Sequence, residues 1–360
     1  MSSQTKAIIN LAALRHNFLV AKRAALHSKI MAVIKADAYG HGVLAVAKAL
    51  TAADGFAVAR LDEALQLRQA GIKKPILVLT GFALTSEVPV FADNELDAVV
   101  HSEHQLTLLD KARVKRPLTI WLKINTGMNR LGIDPSWVDD VYNRLSLSEK
   151  VRQPIKLMTH LSCADDIDNQ ETERQITIFD RTVDGKNGEQ SIANSAGLLN
   201  WQYAQRHWVR PGIMLYGANP FEKTLVSKDV LQAVMTLQSV VIALRIVKKG
   251  QSVGYGNSWV ADKTSLIATI GIGYGDGYPR RAAEGTPVLI AGQEAFLVGR
   301  VSMDTINVNV TACQGISIGD EVILWGEGLP VEDIARKCAT ISYDLLCGVT
   351  NRVPRIYQEK

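Results

Sequence analysis

The sequence predicts an α/β protein in which a closed (β/α)8 barrel of the TIM type is followed by a mostly antiparallel β domain. Three observations carry this. From Met31 onward, eight short apolar runs alternate with stretches of helical periodicity, and eight such βα repeats close into a barrel rather than an open sheet. Past residues 221–230 the pattern changes to alternating, β-branched runs separated by Gly-, Asp- and Pro-bearing turns. The chain, at 360 residues, is also too long for one small core. The expected division is a barrel over residues 1–228 and a β domain over 229–360, with a first strand at residues 6–10 free to join the β domain.

Taken in order, Ala7-Ile8-Ile9 reads as a short strand and Leu11–Leu26 repeats apolar residues at helical spacing. Met31-Ala32-Val33-Ile34 is an unbroken apolar run, as in a parallel strand buried on both faces. It leads into Lys35 and then Gly40-His41-Gly42. Further strands follow at Gly55–Ala59, Ile76–Thr80, Leu96–His101, Leu118–Ile124, Ile155–Thr159, Ser191–Ala193 and Trp208–Val209. Helices are expected between them at Leu61–Ala70, Ser86–Ala92, Glu103–Ala112, from near Pro135, and at Gln170–Val183. In the β domain, strands are expected at Val240–Val247, Leu266–Ile272, Val288–Ile290, Ala295–Val298, Thr305–Val310 and Glu321–Leu324, with a helix at Val331–Cys338.

Composition narrows the function classes. The net charge of +4 is spread along the chain without a basic block, which argues against a nucleic-acid partner. No stretch approaches the ~20 apolar residues that span a bilayer. The amino terminus lacks the layout of a secretion signal, so a soluble, cytoplasmic protein is expected. Cys163, Cys313, Cys338 and Cys347 are scattered and read as free, buried thiols, and no metal site is expected.

Chemistry in a βα barrel gathers where strands end at the carboxyl face. Lys35, Lys123, Arg130, His160, Asn194, Ser195 and Arg210 all fall there. A lysine at such a strand end, partly desolvated, suits Schiff-base chemistry. Ser195-Ala196-Gly197 and Gly212-Ile213 offer backbone N–H groups suited to phosphate. An amine for an aldehyde, a phosphate cradle and a nearby arginine together suggest pyridoxal phosphate.

The motifs VIKADAYGHG (33–42), KINTGMNRLG (123–132), His160-Leu161-Ser162, Asn194-Ser195-Ala196, RPGIMLYG (210–217), VGYG (253–256) and GIGYGDGYP (271–279) resemble the alanine racemase family over nearly the full length. The resemblance implies a pyridoxal 5'-phosphate enzyme, a homodimer with shared active sites, that interconverts L- and D-alanine and supplies D-alanine for peptidoglycan. It assigns Lys35 as the Schiff-base lysine serving D-alanine and Tyr255 as the opposite base serving L-alanine. It links His160 to that tyrosine and to Arg210, which faces the pyridine nitrogen. Tyr39, Asn194, Ser195, Gly212, Ile213 and Tyr343 match positions around the phosphate. Arg130 and Met303 match the substrate-carboxylate site, with Asp304 beside them. Lys123 matches a lysine often found as a carbamate, which would let it pair with Arg130.

Two bases on opposite faces meet the geometric demand of racemisation, and an arginine, which only donates, keeps a ring nitrogen unprotonated. Because Tyr255 and Met303 lie in the second domain, the resemblance places them over the partner subunit's barrel. Asp37 stands where the family often has asparagine. The glycines of 271–275 open no evident helix and are not a dinucleotide loop. Singly, Ser195 could be a helix cap, Tyr39 and Tyr343 packed rings, and Met303 core. His41, His101 and His104 are read as structural. Two alternatives carry weight: a broad-spectrum amino-acid racemase of the same fold, and a non-catalytic pyridoxal-phosphate carrier, which would have no use for a second base.

Overall fold

The structure, a computed structural model, describes residues 5–221 and 231–359. The expected boundary at 228/229 lies outside the described residues. The first strand, β1 (Lys6–Asn10), pairs antiparallel with the second domain's long strand, so it belongs to that sheet and not to the barrel. Asn10 then caps helix Leu11–Ala24 by accepting the N–H of Ala13.

Eight parallel strands close the barrel: β2 (Lys29–Val33), β3 (Gly55–Val58), β4 (Ile76–Val78), β5 (Asp97–Val100), β6 (Leu118–Lys123), β7 (Val151–Met158), β8 (Gln190–Ser191) and β9 (Trp208–Val209). Their apolar residues face both the barrel interior and the outer helices, which is why they read as continuous apolar runs. The helix expected near Pro135 begins as a 3-10 turn, Pro135–Trp137, and becomes α-helical at Val138–Ser146.

The second domain contains β10 (Met235–Val247), the hairpin β11 (Ser252–Val253) and β12 (Trp259–Val260), then β13 (Ser265–Ile270), β14 (Pro287–Ile290), β15 (Gln293–Val298), β16 (Ile306–Asn309), β17 (Glu321–Trp325) and β18 (Arg355–Gln358). Strand β10 spans 13 residues and carries a bulge between Val241 and Ala243. It pairs with β1 and β17 through its first half and with β13 through its second. That closes β10, β13, β16, β15, β14 and β17 into a ring, with β1 and β18 as an extension. Helix Ser342–Gly348 and strand β18 are not expected from the sequence pattern. Both pack the end of the chain against the barrel: the carbonyl of Leu346 occupies the space that a Cβ on Gly40 would need, so only glycine fits there. Of the four free cysteines, Cys338 is buried but Cys347 is exposed, because that last helix lies at a rim rather than in the core.

The amino-terminal end of the barrel is plugged by paired charges and indoles. Trp121 and Trp208 meet edge to face at 6.1 Å, and Lys156 Nζ lies 5.0 Å and 5.3 Å from their ring centroids. Asp97 accepts the Trp121 indole N–H at 2.9 Å and stands 3.8 Å from Lys156. Glu189 binds Lys156 at 3.2 Å, Lys29 at 2.6 Å and the Trp208 indole at 2.8 Å. This plug fastens the barrel; it is not a site of chemistry. Lys156→Ala should therefore cost about 2 kcal/mol, below the range for a fully buried pair because this one is partly open to water. An unchanged urea midpoint would show the plug to be incidental.

Behind Lys35 the imidazole of His41 is fully buried and tilted against Tyr216, with centroids 4.6 Å apart and ring planes at 32°. Its Nδ1 faces two acceptors, the carbonyls of Ala38 (3.0 Å) and Tyr39 (2.9 Å), so Nδ1 carries the hydrogen, while Nε2 has no partner. Burial lowers its pKa to about 4. The unfolded chain binds the proton first as pH falls, so stability is lost between the ordinary value of about 6.5 and pH 4, by about 3 kcal/mol in all. Urea unfolding of the wild type at pH 7 and pH 4.5, against His41→Asn, should show a flatter pH dependence in the variant; equal slopes would refute this.

Candidate active site at the carboxyl face of the barrel

Lys35 stands two residues past β2, half-buried, and opens a turn of unusual hand. Ala36, Asp37, Ala38 and Tyr39 all have φ between +52° and +54°. None is glycine, and such a conformation costs about 1 kcal/mol or more per residue. The turn is held by hydrogen bonds from Ala38 N to Ile34 O (2.9 Å) and from Gly42 N to Asp37 O (2.9 Å). Asp37, the departure from the family pattern, has a structural role, since its Oδ1 accepts the N–H of Val43 (2.7 Å) at the start of helix Val43–Ala49. Arg355, reaching from β18, donates to the carbonyl of Gly40 at 3.1 Å.

Four further cationic or basic groups surround the Lys35 amine. Lys123 ends β6, Arg130 lies in the loop after it, His160 follows β7 and Arg210 follows β9. Burial, then Arg130, lowers the pKa of Lys35. Burial, then Arg210, Arg130 and Lys35, brings Lys123 down to about 8. Burial, then Arg210 and Lys123, holds His160 well below its ordinary value, so its imidazole is neutral. All five side chains lie at or follow the carboxyl ends of barrel strands.

Arg210 is buried, and burial lowers its pKa to about 10, which leaves it charged at neutral pH. Its guanidinium donates to Ser191 Oγ, to the carbonyls of Thr159 (2.6 Å) and Ile192 (3.2 Å), and stands 3.5 Å from His160 Nδ1. None of these partners is a carboxylate. A guanidinium only donates, so Nδ1 of His160 is the acceptor and Nε2 carries the hydrogen. Gln175, fully buried on helix Glu171–Val183, sets the loop that bears the histidine. Its Nε2 donates to the His160 carbonyl (3.1 Å) and to Thr126 Oγ1 (3.2 Å), and its Oε1 accepts from Ser162 N (2.9 Å). Gln175 is absent from the residues expected above; a glutamine within the apolar stripe of Ile176, Phe179 and Val183 is the signal that could have found it.

On the other side of the mouth, Ser195 Oγ accepts the N–H of Gly212 at 2.9 Å, and Ile213 opens the turn that follows. A Cβ on Gly212 would come within 2.6 Å of the Tyr39 hydroxyl, so the glycine keeps the backbone open beneath that phenol. Tyr39 is stacked on Tyr216 at 4.7 Å and lies 5.8 Å from the ring of Tyr343, which helix Ser342–Gly348 brings from the second domain. The side chain of Asn194 is occupied as a cap, accepting the N–H of Gly197 at 2.8 Å.

The remaining three expected residues lie apart. Tyr255 begins a 3-10 turn between β11 and β12 and is 68% exposed. Met303 is 53% exposed, and Asp304 pairs with Arg352 at 2.7 Å. Among the described residues, no hydrogen bond, ion pair or ring contact joins them to Lys35 and its neighbours within this chain.

Residues 9–220 match the family model for the alanine racemase N-terminal domain, and residues 234–357 the model for its C-terminal domain. An alanine racemase of Vibrio vulnificus (strain CMCP6) is 47% identical over 98% of this chain and 99% of its own. One from Edwardsiella ictaluri (strain 93-146) is 49% identical over 98% of this chain and 97% of its own. The biosynthetic alanine racemase of Pseudomonas aeruginosa superposes with a TM-score of 0.96 at 42% identity, covering 99% of this chain and 100% of that one. The Bartonella henselae enzyme, solved with covalently bound pyridoxal phosphate, gives 0.89 at 31% identity, covering 99% and 100%. A barrel mouth with these motifs, joined to a matching β domain over nearly the whole length, makes the chain a member of the alanine racemase family.

Proposed function

We propose that this protein interconverts L- and D-alanine with pyridoxal 5'-phosphate as cofactor, and that Lys35 and Tyr255 are its two bases. The observation that carries the cofactor reading is Arg210: a buried guanidinium whose hydrogen-bond partners are neutral, aimed beside a neutral histidine. Such a donor fits a pyridine nitrogen that is to stay unprotonated. The Ser195–Gly212–Tyr39 corner fits the phosphate, and the amine of Lys35 fits the aldehyde. When bound, the cofactor draws electron density away from the substrate's Cα and makes its proton removable.

The chain's own residues supply the rest. Lys35, its pKa lowered by burial and Arg130, is suited to take or return a proton on one face. His160 carries its hydrogen on Nε2, a tautomer fixed by the Arg210 contact on Nδ1, and that N–H is suited to stabilise an ionised phenol. Arg130 offers a fork for the substrate carboxylate. Tyr255, Met303 and Asp304, exposed on the second domain, are read as covering the mouth of a second copy's barrel, so that the homodimer is the active form. Lys123, poised near pH 8 among arginines, is read as the carbamate: its neutral amine can attack carbon dioxide, and the resulting anion would pair with Arg130. For membranes, the finding is limited: no helix among the described residues is long and apolar enough to cross one.

Tyr255→Phe should keep the cofactor's absorbance while deuterium uptake at Cα from L-alanine falls by about 100-fold or more, with uptake from D-alanine spared. A carrier would show no exchange in either form. Mixing Lys35→Ala with Tyr255→Phe subunits should restore turnover, because each mixed dimer holds one intact site; no recovery would mean that Tyr255 serves its own chain. Carbon-13 bicarbonate should give a carbamate resonance that grows as pH rises through 8 and vanishes in Lys123→Ala; a bare amine throughout would refute the Lys123 assignment.

A further inference from the structure

Glu63 lies in the first turn of helix Leu61–Gln69, where its Oε2 accepts the N–H groups of Ala59 (2.8 Å) and Arg60 (3.0 Å). Capping requires no more than that. Its second oxygen does something capping does not explain: Oε1 accepts the N–H of Ala36 at 2.6 Å, on the loop that follows a different barrel strand. Ala36 comes directly after Lys35 and is the first of the four residues in left-handed conformation.

We propose that Glu63 is a positioning residue for Lys35: its carboxylate ties the turn after β2 to the turn after β3 and so sets the direction from which the amine reaches cofactor and substrate. This rests on the reading of Lys35 as the cofactor-bearing lysine. The other ties on the turn are local or lie at its far end. Ala38 N, Gly42 N and Asp37 Oδ1 bond within a few residues, and Arg355 holds Gly40. At the lysine end Ile34 N donates to the Ala57 carbonyl just before Lys35 (2.9 Å), and directly after Lys35 the tie from outside the turn is Glu63. An alanine at φ +52° relaxes to negative φ when nothing holds its N–H, and that rotation swings the peptide on which Lys35 sits. A carboxylate suits this position because it is purely an acceptor and can take three N–H groups at once; an amide presents a single acceptor oxygen.

The test compares Glu63→Gln and Glu63→Asp with Asp62→Asn, which removes the neighbouring charge of the same helix turn, paired with Arg60 on the surface. Borohydride trapping and peptide mapping of the holoenzymes first locate the cofactor. Glu63→Gln should slow the return of the bound-cofactor absorbance, when pyridoxal phosphate is added to stripped enzyme, by about 10- to 100-fold, as expected for a small misplacement of a reacting group. Its kcat should fall by about the same factor with KM little changed, since substrate contacts stay in place. The pH at which that absorbance changes should move down, since Glu63 is a negative charge facing the amine; Arg130, Lys123, His160 and Cys347 also face it and are untouched. Glu63→Asp should recover part of the loss, and Asp62→Asn should match the wild type. A Glu63→Gln protein that unfolds at lower temperature but reloads at the wild-type rate, with an unmoved pH transition, would reduce Glu63 to a helix cap and overturn the inference. Cofactor trapped on another lysine would overturn the reading of Lys35, and this inference with it.

Discussion

The site depends on one electrostatic constraint: five cationic or basic side chains share a barrel mouth, with Lys123 and Arg210 buried, Lys35 and His160 half-buried and Arg130 exposed at its edge. Two are arginines and keep their charge. In the other three, Lys35, Lys123 and His160, burial first and the neighbouring cations second lower the pKa and favour loss of the proton. Among the described residues the carboxylate that favours protonation of Lys35 is Glu63, and its influence is smaller than that of burial or Arg130.

Fixed charges at close quarters demand fixed backbones, and the surrounding structure provides them at both arginine and lysine. Arg210 is held by a hydroxyl and two carbonyls from neighbouring strand ends, so its direction is set by the barrel itself. Lys35 is set by a four-residue left-handed turn, a conformation that persists only because ties from Glu63, Asp37 and Arg355 over-determine it. Gln175 does the same for the loop bearing His160. The strain therefore sits beside Lys35, and the compensating bonds come from the turn after β3, from β18 and from an outer helix.

Much of this is legible in the amino-acid sequence. The barrel strands are, because burial on both faces writes itself as uninterrupted apolar runs such as 31–34 and 76–79. The polar residues at strand ends are, because a charge at the end of a buried strand must open into a cleft. The left-handed turn is not: Ala36-Asp37-Ala38-Tyr39 contains no glycine, and its hand follows from tertiary ties that no local pattern encodes. Glu63 is hidden for a related reason, since an acidic residue in a first helical turn already has an ordinary explanation. Helix Ser342–Gly348 escapes because it is seven residues long with no side-chain cap, and strand β18 because its Ile356 and Tyr357 face water.

The two ends of the barrel show why neighbours, not residue type, decide which lysine is reactive. At the amino-terminal end, Lys29 and Lys156 lie over indoles and reach carboxylates: Glu189 takes both, and Asp97 stands near Lys156. Burial raises the pKa of Glu189, yet the bonds from Lys29 and Trp208 outweigh it and bring it to about 2, so that carboxylate is a firm anion for the lysines to meet. At the carboxyl end, burial lowers the pKa of Lys35 and Lys123, and the arginines they meet instead of carboxylates lower it further. Moving a carboxylate of the first kind into the second mouth would give the amine a partner and hold its proton. The barrel thus keeps its carboxylate-paired lysines at one end, and among the described residues leaves Lys35 and Lys123 without an ion pair at the other.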